Sequence, residues 1–111
     1  MAGKFEIYKD KAGEFRFRLK SSNGQTVLAS EGYSSRSAVR NGIRSVEENS
    51  ANPKRFEKTE TTSGNYRFNL VAGNRQVIGQ SQSYKSAPSR DQGVQAVARA
   101  AKGAAVVDLT E

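Results

Sequence analysis

Cysteine and histidine are both absent from this chain of 111 residues. Without cysteine, disulfides and thiolate chemistry are excluded. Without histidine as well, the chain cannot form a Ser-His-Asp or Cys-His nucleophilic system, or a zinc site built on histidine or cysteine ligands. The sequence also contains neither a P-loop nor a GxGxxG fingerprint. We therefore expect a protein that is not an enzyme and that has no catalytic residues, no cofactor and no metal site.

Long apolar runs are absent too. No segment approaches the roughly 18–20 consecutive apolar residues that a membrane-spanning helix needs, and the mean hydropathy is −0.73. The first six residues, from Met1 to Glu6, reach an acidic side chain without the apolar core of a signal peptide. We expect no membrane association and a cytoplasmic location.

The charge balance is strongly positive. Eighteen basic residues oppose eleven acidic ones, which gives a formal net charge of +7. A basic balance of this kind favours a polyanionic partner such as RNA, DNA or an acidic protein. The alternative is a basic surface that is merely solvated, and charge alone does not separate the two.

The chain contains an internal repeat. Residues 51 positions apart, as Phe5 and Phe56 are, match along both halves without a gap. A fixed period of this kind indicates two copies of one structural unit. The matched pairs include Phe5/Phe56, Glu6/Glu57, Gly13/Gly64, Arg16/Arg67, Phe17/Phe68, Leu19/Leu70, Tyr33/Tyr84, Gly42/Gly93 and Val46/Val97.

Each unit begins with three strands. Residues 14–20 alternate strictly between apolar and basic side chains, which predicts a strand with one buried face. Alternation also predicts a strand at 4–9, and the hairpin signal before it predicts one at 25–30. The repeat predicts the same three strands at 55–61, 65–71 and 76–81, and the apolar segment 104–109 predicts a last short strand. Asn23-Gly24 predicts a type I′ hairpin turn with positive φ at both residues, whereas Asn74-Arg75 predicts a looser turn or another type. We expect Phe5 opposite Phe17, which would place Glu6 opposite Arg16 and Glu57 opposite Arg67.

A helix follows the third strand of each unit. Ser35 is the expected N-cap of the first helix, and Val39, Ile43 and Val46 share one face. Gly42 inside that face indicates a close approach of the helix to the sheet. The segment 49–53 ends this helix, and the second runs from a cap at Ser86 to about residue 102, with Pro88 tolerated in its first turn and Gly103 as its stop.

The pattern βββα-βββα-β predicts an α+β fold. We expect one domain, residues 1–111, made of two repeats (4–50 and 55–102) and a C-terminal strand (104–110). An antiparallel sheet with both helices packed on one face would let the two units share a core around a pseudo-two-fold axis, since about 50 residues alone bury little surface.

The repeated segments resemble the YegP-like family of small bacterial proteins. The resemblance covers nearly the whole chain, and only Arg75 and Pro88 depart locally from the pattern. It implies that the repeats join in one sheet and that the strands after the helices, at 55–61 and 104–109, are exchanged to the partner repeat. It implies no substrate, cofactor or catalytic residue. The matching segments are 15–20, 23–24, 30–33, 42–46, 66–74, 76–84 and 89–97.

Two sets of basic residues are candidate binding sites for anions or nucleic acid. A stripe on the strand faces is formed by Arg16, Arg18, Lys20 and Arg67. If that face is open, it could meet phosphates and, through Tyr8, a base, although the phenylalanines lie on the opposite face and leave no aromatic platform. The alternative is a solvated face on which Glu6 and Glu57 cancel part of the charge.

The second set is a row on the first helix, formed by Arg36, Arg40 and Arg44. Glu47 and Glu48 lie within one helical turn of Arg44 and are expected to satisfy part of its charge. The serines at the helix starts favour anions, but capping explains them.

A carboxylate pair, Glu6 with Glu57, is the remaining candidate for acid–base chemistry. We favour the alternative that both are exposed strand residues paired with arginines. The sequence therefore predicts a binding module whose partner is another protein, or a second copy joined through sheet edges. Weak electrostatic binding of RNA or single-stranded DNA through the basic sheet face is the alternative.

Overall fold

The computed structural model describes residues 2–110, and every predicted strand and helix is present in it. Their ends differ from the predicted ones by a residue or so. A short 3-10 turn, Pro53–Arg55, precedes the fourth strand. The elements in chain order are β1 Lys4–Lys9, β2 Phe15–Lys20, β3 Thr26–Ala29, α1 Arg36–Asn49, β4 Phe56–Glu60, β5 Tyr66–Val71, β6 Val77–Gln80, α2 Ala87–Ala101 and β7 Ala105–Asp108.

The seven strands form one sheet in the order β4-β5-β6-β3-β2-β1-β7. The two repeats meet at β3 and β6, where the register contains the single pair Ala29 and Gln80. β4 follows α1 but lies in the second half of the sheet, and β7 follows α2 but pairs with β1 in the first half. This is the strand exchange that the resemblance implies, and the α+β fold is confirmed.

One strand departs from the predicted antiparallel arrangement. β7 runs parallel to β1, while all other pairs are antiparallel. The N–H of Gly3 donates to the carbonyl of Ala100 at 2.9 Å, so β1 begins beside the end of α2. Because β7 leaves the same end of α2, it enters the sheet at the end where β1 enters and runs the same way.

Alternation along the strands places one apolar face against both helices. Phe5, Ile7, Phe17 and Leu19 are fully buried there. Phe5 and Phe17 meet edge to face with ring centroids 5.8 Å apart, and the second repeat copies this contact at 5.6 Å. The opposite side of the sheet, which carries Arg18 and its neighbours on alternate positions, is called the helix-free face below.

The helices begin and pack as the sequence predicts. The Ser35 hydroxyl accepts the N–H of Ala38, and Ser86 caps α2 in the same way. A side-chain carbon built at Gly42 would lie 2.5 Å from the Tyr33 hydroxyl oxygen, so only glycine fits where the helix meets the ring. The prediction of a close helix approach is therefore confirmed.

The register between β1 and β2 shows that one prediction was wrong. Glu6 lies opposite Arg18 and not opposite Arg16. The turn closes on Asp10, whose N–H donates to the Glu14 carbonyl at 3.0 Å. Each β1 residue therefore faces a β2 residue two positions further along than expected. The second repeat is shifted in the same way, with Glu57 opposite Asn69 and not opposite Arg67.

The hairpin at Asn23-Gly24 is also not a type I′ turn. Only Gly24 has positive φ, at 85°. Its N–H donates to the Ser21 carbonyl, and the Ser21 N–H donates to the Gln25 carbonyl, both at 2.9 Å. This is a three-residue hairpin loop that ends in one left-handed residue. The same pattern of bonds closes the later turn at Arg75, so that turn is neither looser nor of another type.

Arg75 is the one non-glycine residue with positive φ, at 71°, within residues 2–110. The left-handed conformation costs an ordinary residue on the order of 1 kcal/mol relative to glycine. We expect Arg75→Gly to raise the free energy of unfolding by about 1 kcal/mol in urea titration, because it relieves this strain. Arg75→Ala removes the same side chain but keeps the strain, so it should leave stability unchanged or lower it. Equal effects of the two variants would contradict the explanation.

Candidate functional site

The predicted strand stripe surrounds a buried carboxylate on the helix-free face. Arg18 Nε lies 2.7 Å from Glu6 Oε1, and Lys20 Nζ lies 3.2 Å from the same oxygen. Lys4 Nζ approaches the other oxygen at 3.4 Å. Glu6 is only 6% exposed, so the expectation of an exposed residue was wrong. The stripe is therefore largely a neutralising shell rather than an open row of cations.

The charges around Glu6 set its protonation state. The hydrogen bond from Arg18 is the largest cause that lowers the pKa of Glu6, from 4.5 to about 2, with Lys20 and Lys4 adding to it and burial opposing it. Arg18 also covers the Tyr8 ring, with its guanidinium carbon 4.6 Å from the ring centroid. The sequence predicted that Tyr8 could stack on a nucleic-acid base, but Arg18 covers its ring.

Arg16 and Arg67 occupy repeat-related positions with different partners. Arg16 Nε lies 2.6 Å from Asp10 Oδ2, and its hydrogen bond lowers the pKa of Asp10. At the matching position of the second repeat stands Thr61, which carries no charge. Arg67 donates to the Ser81 carbonyl at 3.4 Å and forms no ion pair within residues 2–110. It is the one residue of the stripe without an ion pair there.

The arginine row of α1 faces the C-terminal strand. Arg36 Nε and an Arg40 nitrogen lie 3.2 and 3.4 Å from Asp108 Oδ2. The hydrogen bonds of Thr110 lower the pKa of Asp108 most, and the two arginines lower it further. Arg44 forms no ion pair among the described residues, although Glu47 or Glu48 was expected to satisfy part of its charge. The row therefore clamps β7 onto the helix and leaves Arg44 exposed.

The strand stripe lies on the helix-free face and the arginine row lies on α1, so the sheet stands between these two predicted sets of basic residues. The sheet also separates the candidate carboxylate pair. Glu6 lies on β1 and Glu57 on β4, with four strands between them. At about 4.8 Å per strand the two positions are roughly 24 Å apart. They do not form a joint acid–base site. In residues 2–110 no three acidic side chains cluster in a way that would hold a metal ion.

The edge at β7 is a surface that the sequence reasoning missed. Val106, Val107 and Leu109 are 42%, 37% and 52% exposed. The Leu109 N–H donates to the Ile7 carbonyl at 2.9 Å. Since alternate residues of a parallel strand bond to one neighbour, the backbone groups of Val106 and Asp108 point outward. An apolar strand with outward donors and acceptors is a template for another strand.

The other edge of the sheet is built differently. β4 carries Glu57, Lys58 and Glu60 along its short length, and such charges protect an edge against pairing. Lys58 is further held by Asp91 of α2, 3.0 Å away. The available signal was this contrast in charge: segment 104–109 contains one charged residue, whereas β4 contains three.

Comparison with known proteins places the chain in a family. A model described as a domain of unknown function, DUF1508, matches residues 10–57 and 62–108. The chain belongs to the DUF1508 family. Each matched segment ends in the strand that follows a helix, so this repeat frame differs from the frame read off the internal repeat. The DUF1508 unit therefore includes the exchanged strand, β4 or β7.

Relatives in bacteria support the YegP-like resemblance. The chain is 52% identical to a UPF0339 protein in the ptx operon 5′ region of Stutzerimonas stutzeri, over 98% of both chains. It is 46% identical to UPF0339 protein YegP of Escherichia coli K12, over 87% of this chain and 88% of that one.

Two solved structures have the same fold. The solution structure of E. coli YegP matches with a TM-score of 0.93 and 43% identity, covering 98% of this chain and 94% of that one. A UPF0339 protein of Shewanella oneidensis matches with a TM-score of 0.92 and 39% identity, covering 98% and 92%. Both are consistent with the tandem fold. Within the described residues, no helix is long and apolar enough to cross a membrane.

The Glu6 cluster should dominate the acid stability of the fold. A pKa lowered in the folded state contributes stability above pH 4.5, which is lost as the pH falls towards about 2. We expect Glu6→Gln to cost on the order of 2–3 kcal/mol at pH 7 and much less at pH 2, measured by urea unfolding at each pH. Glu57→Gln is the matched control, because the Glu57 side chain is 42% exposed and its ion-pair partner, Arg75, lies 3.6 Å away; the substitution should be nearly neutral at both pH values. An equal pH dependence in both variants would refute the assignment.

Proposed function

We propose that this protein is a non-enzymatic interaction module of the cytoplasm that binds an extended segment along the outer edge of β7. The partner is another protein, or a second copy of the chain. The observation that carries the proposal is the contrast between the two sheet edges: β4 is charged, whereas β7 exposes Val106, Val107 and Leu109. Addition of a strand would bury these side chains and satisfy the outward backbone groups.

The edge is also preorganised for such binding. Asp108 is anchored by Arg36 and Arg40, and Thr110 donates its N–H to Asp108 Oδ1 at 2.8 Å. The β1 ladder holds the other side of the strand. A strand that is already fixed loses little conformational freedom on binding, so more of the contact energy appears as affinity.

The protonation states support a role without catalysis. Glu6, Asp10 and Asp108 all have a lowered pKa because cations or hydrogen-bond donors stabilise the ionised form. A general acid at neutral pH needs a raised pKa instead. The perturbed carboxylates therefore fit structural ion pairs better than proton transfer.

Nucleic-acid binding is the second candidate function. Arg67 and Arg44 lie without an ion pair in the part of the chain described, and three cations surround the single carboxylate of Glu6. Both features leave positive charge that phosphates could neutralise. Against it, the aromatic ring of Tyr8 on the helix-free face is already covered by Arg18.

Salt-dependent RNA binding separates the candidates. If nucleic acid is the partner, labelled single-stranded RNA should bind at low salt, with an affinity that falls steeply as salt rises. Arg67→Gln and Arg44→Gln should make that slope shallower, by about one phosphate contact each. These variants are cleaner than changes at Arg18 or Lys20, which would leave Glu6 without its partners. Absence of binding at low salt removes this candidate.

Blocking the edge tests the proposal itself. Val106→Pro removes the outward N–H of residue 106 and leaves the hydrogen bonds between β7 and β1 in place, and edge strands tolerate proline. We expect this variant to remain folded and to lose partner binding in quantitative capture from bacterial extract, whereas Val106→Ala, which keeps the N–H, should lose less.

Amide exchange of the captured complex provides the direct readout. The amides of Val106 and Asp108 should become protected when the partner is bound, because a strand pairs with them. As a control of the bonding pattern, Val107→Pro should destabilise β7, since its N–H points towards β1. Full retention of the partner by Val106→Pro, together with unprotected Val106 and Asp108 amides in the complex of the unsubstituted chain, would refute the proposed function.

A further inference from the structure

We infer that the segment bound at β7 is an acidic–apolar alternating strand of a different protein, with an acidic side chain opposite Val106 and apolar ones beside it. The inference rests on the proposed function and specifies its partner. Alternate residues of an added strand face opposite sides of the sheet. The side chains of the partner are therefore set by the residues of this protein on the helix side and on the helix-free side of β7.

The helix side of the edge is basic. Val106 pairs with buried Phe5 and so shares the core face. It lines a cavity of about 140 Å³ together with Arg40, Ile43, Arg44 and Glu47. A side chain opposite Val106 would enter this space and meet Arg44.

The helix side of β7 carries an excess of positive charge. Arg36, Arg40 and Arg44 face two carboxylates, Asp108 and Glu47, which leaves one positive charge in excess. Asp108 is already shared by Arg36 and Arg40. Arg44 forms no ion pair within residues 2–110, so an incoming carboxylate would give it a partner. Pairs at such a rim contribute mostly to specificity and rate of association.

The other side of the edge is apolar. Val107 pairs with Glu6 and therefore shares the helix-free face, where Ala105 lies on the same side. Both are exposed, and Leu109 extends this surface. Residues of the added strand opposite Ala105 and Val107 would bury these side chains, which favours valine, isoleucine or leucine there.

Charge also argues against a second copy as the occupant. Two chains paired through β7 would bring two arginine rows to one seam, and each chain carries a net charge of +7. Like charges placed together across an interface disfavour it. The same positive charge that repels a second copy favours binding of an acidic segment, so the edge selects a strand from a different protein.

Peptide titration tests the inference directly. Three short peptides are used in which valine alternates with glutamate, glutamine or lysine, and their binding to the 15N-labelled full chain is followed at the Val106 and Asp108 amides. We expect the glutamate peptide to bind about tenfold more tightly than the glutamine peptide at low salt, and the lysine peptide to bind most weakly. High salt should reduce the difference, since rim charges are screened.

A charge reversal locates the preference. Arg44→Glu should remove or invert the preference for glutamate. Lys85→Glu makes the same change in net charge but lies just before α2, the helix that contacts β4 at the other edge, so it should change the preference by less than about twofold. Equal loss in both variants would mean that overall charge, and not Arg44, selects the peptide, and would overturn the inference.

The remaining outcomes separate the inference from the proposed function. Equal binding of the glutamate and glutamine peptides, with both edge amides shifted, would overturn the inference and leave the proposed function standing. Sedimentation that shows self-association blocked by Val106→Pro would do the same, with a second copy as the occupant. If no peptide shifts the edge amides, or if shifts occur only around Glu6, both are overturned.

Discussion

The fold depends on an apolar layer that belongs to neither repeat alone. Within the sheet the repeats are joined by a single pair, Ala29 with Gln80, which is too little to hold them together. α1 contacts strands of both halves, and so does α2. Core residues of the two repeats form one cluster, from Phe5 on β1 to Phe68 on β5. The helices therefore act as the connection between the repeats, and removal of either would expose part of the shared core.

Duplication has preserved that layer better than the surface. Phe17 and Phe68 are both fully buried, and each packs edge to face against its own partner. On the helix-free face the copies differ, since Glu6 is buried among three cations and Glu57 is exposed. Packing tolerates few changes, whereas exposed ion pairs contribute little and are lost easily. The charge pattern of the helix-free face therefore differs between the two halves.

The sequence was sufficient for the fold and insufficient for the site. Strict alternation around Phe17 predicts a strand, and the internal repeat shows the same pattern a second time around Phe68. The ion pairs of Glu6 depend on register, which a different closing pair at Asp10 shifts by two residues. Exposure of Val106 depends on which strand is outermost, and a strand's own pattern does not state its place in the sheet. Which residues form ion pairs and which strand lies at the edge both depend on contacts between distant parts of the chain, and local periodicity carries no information about such contacts.

The parallel pairing of β7 with β1 also constrains how the chain is made. Residues 10–104 separate these neighbouring strands, so β1 emerges from the ribosome with its outer side uncovered until β7 has been synthesised. During that interval the nascent chain displays the edge of β1, including the backbone beside Phe5 and Ile7, where the finished protein displays β7. Closing contacts of such long sequence separation form late and slowly. The newborn chain thus presents a different exposed strand edge from the folded protein, and any factor that meets it on the ribosome contacts a surface that β7 later covers.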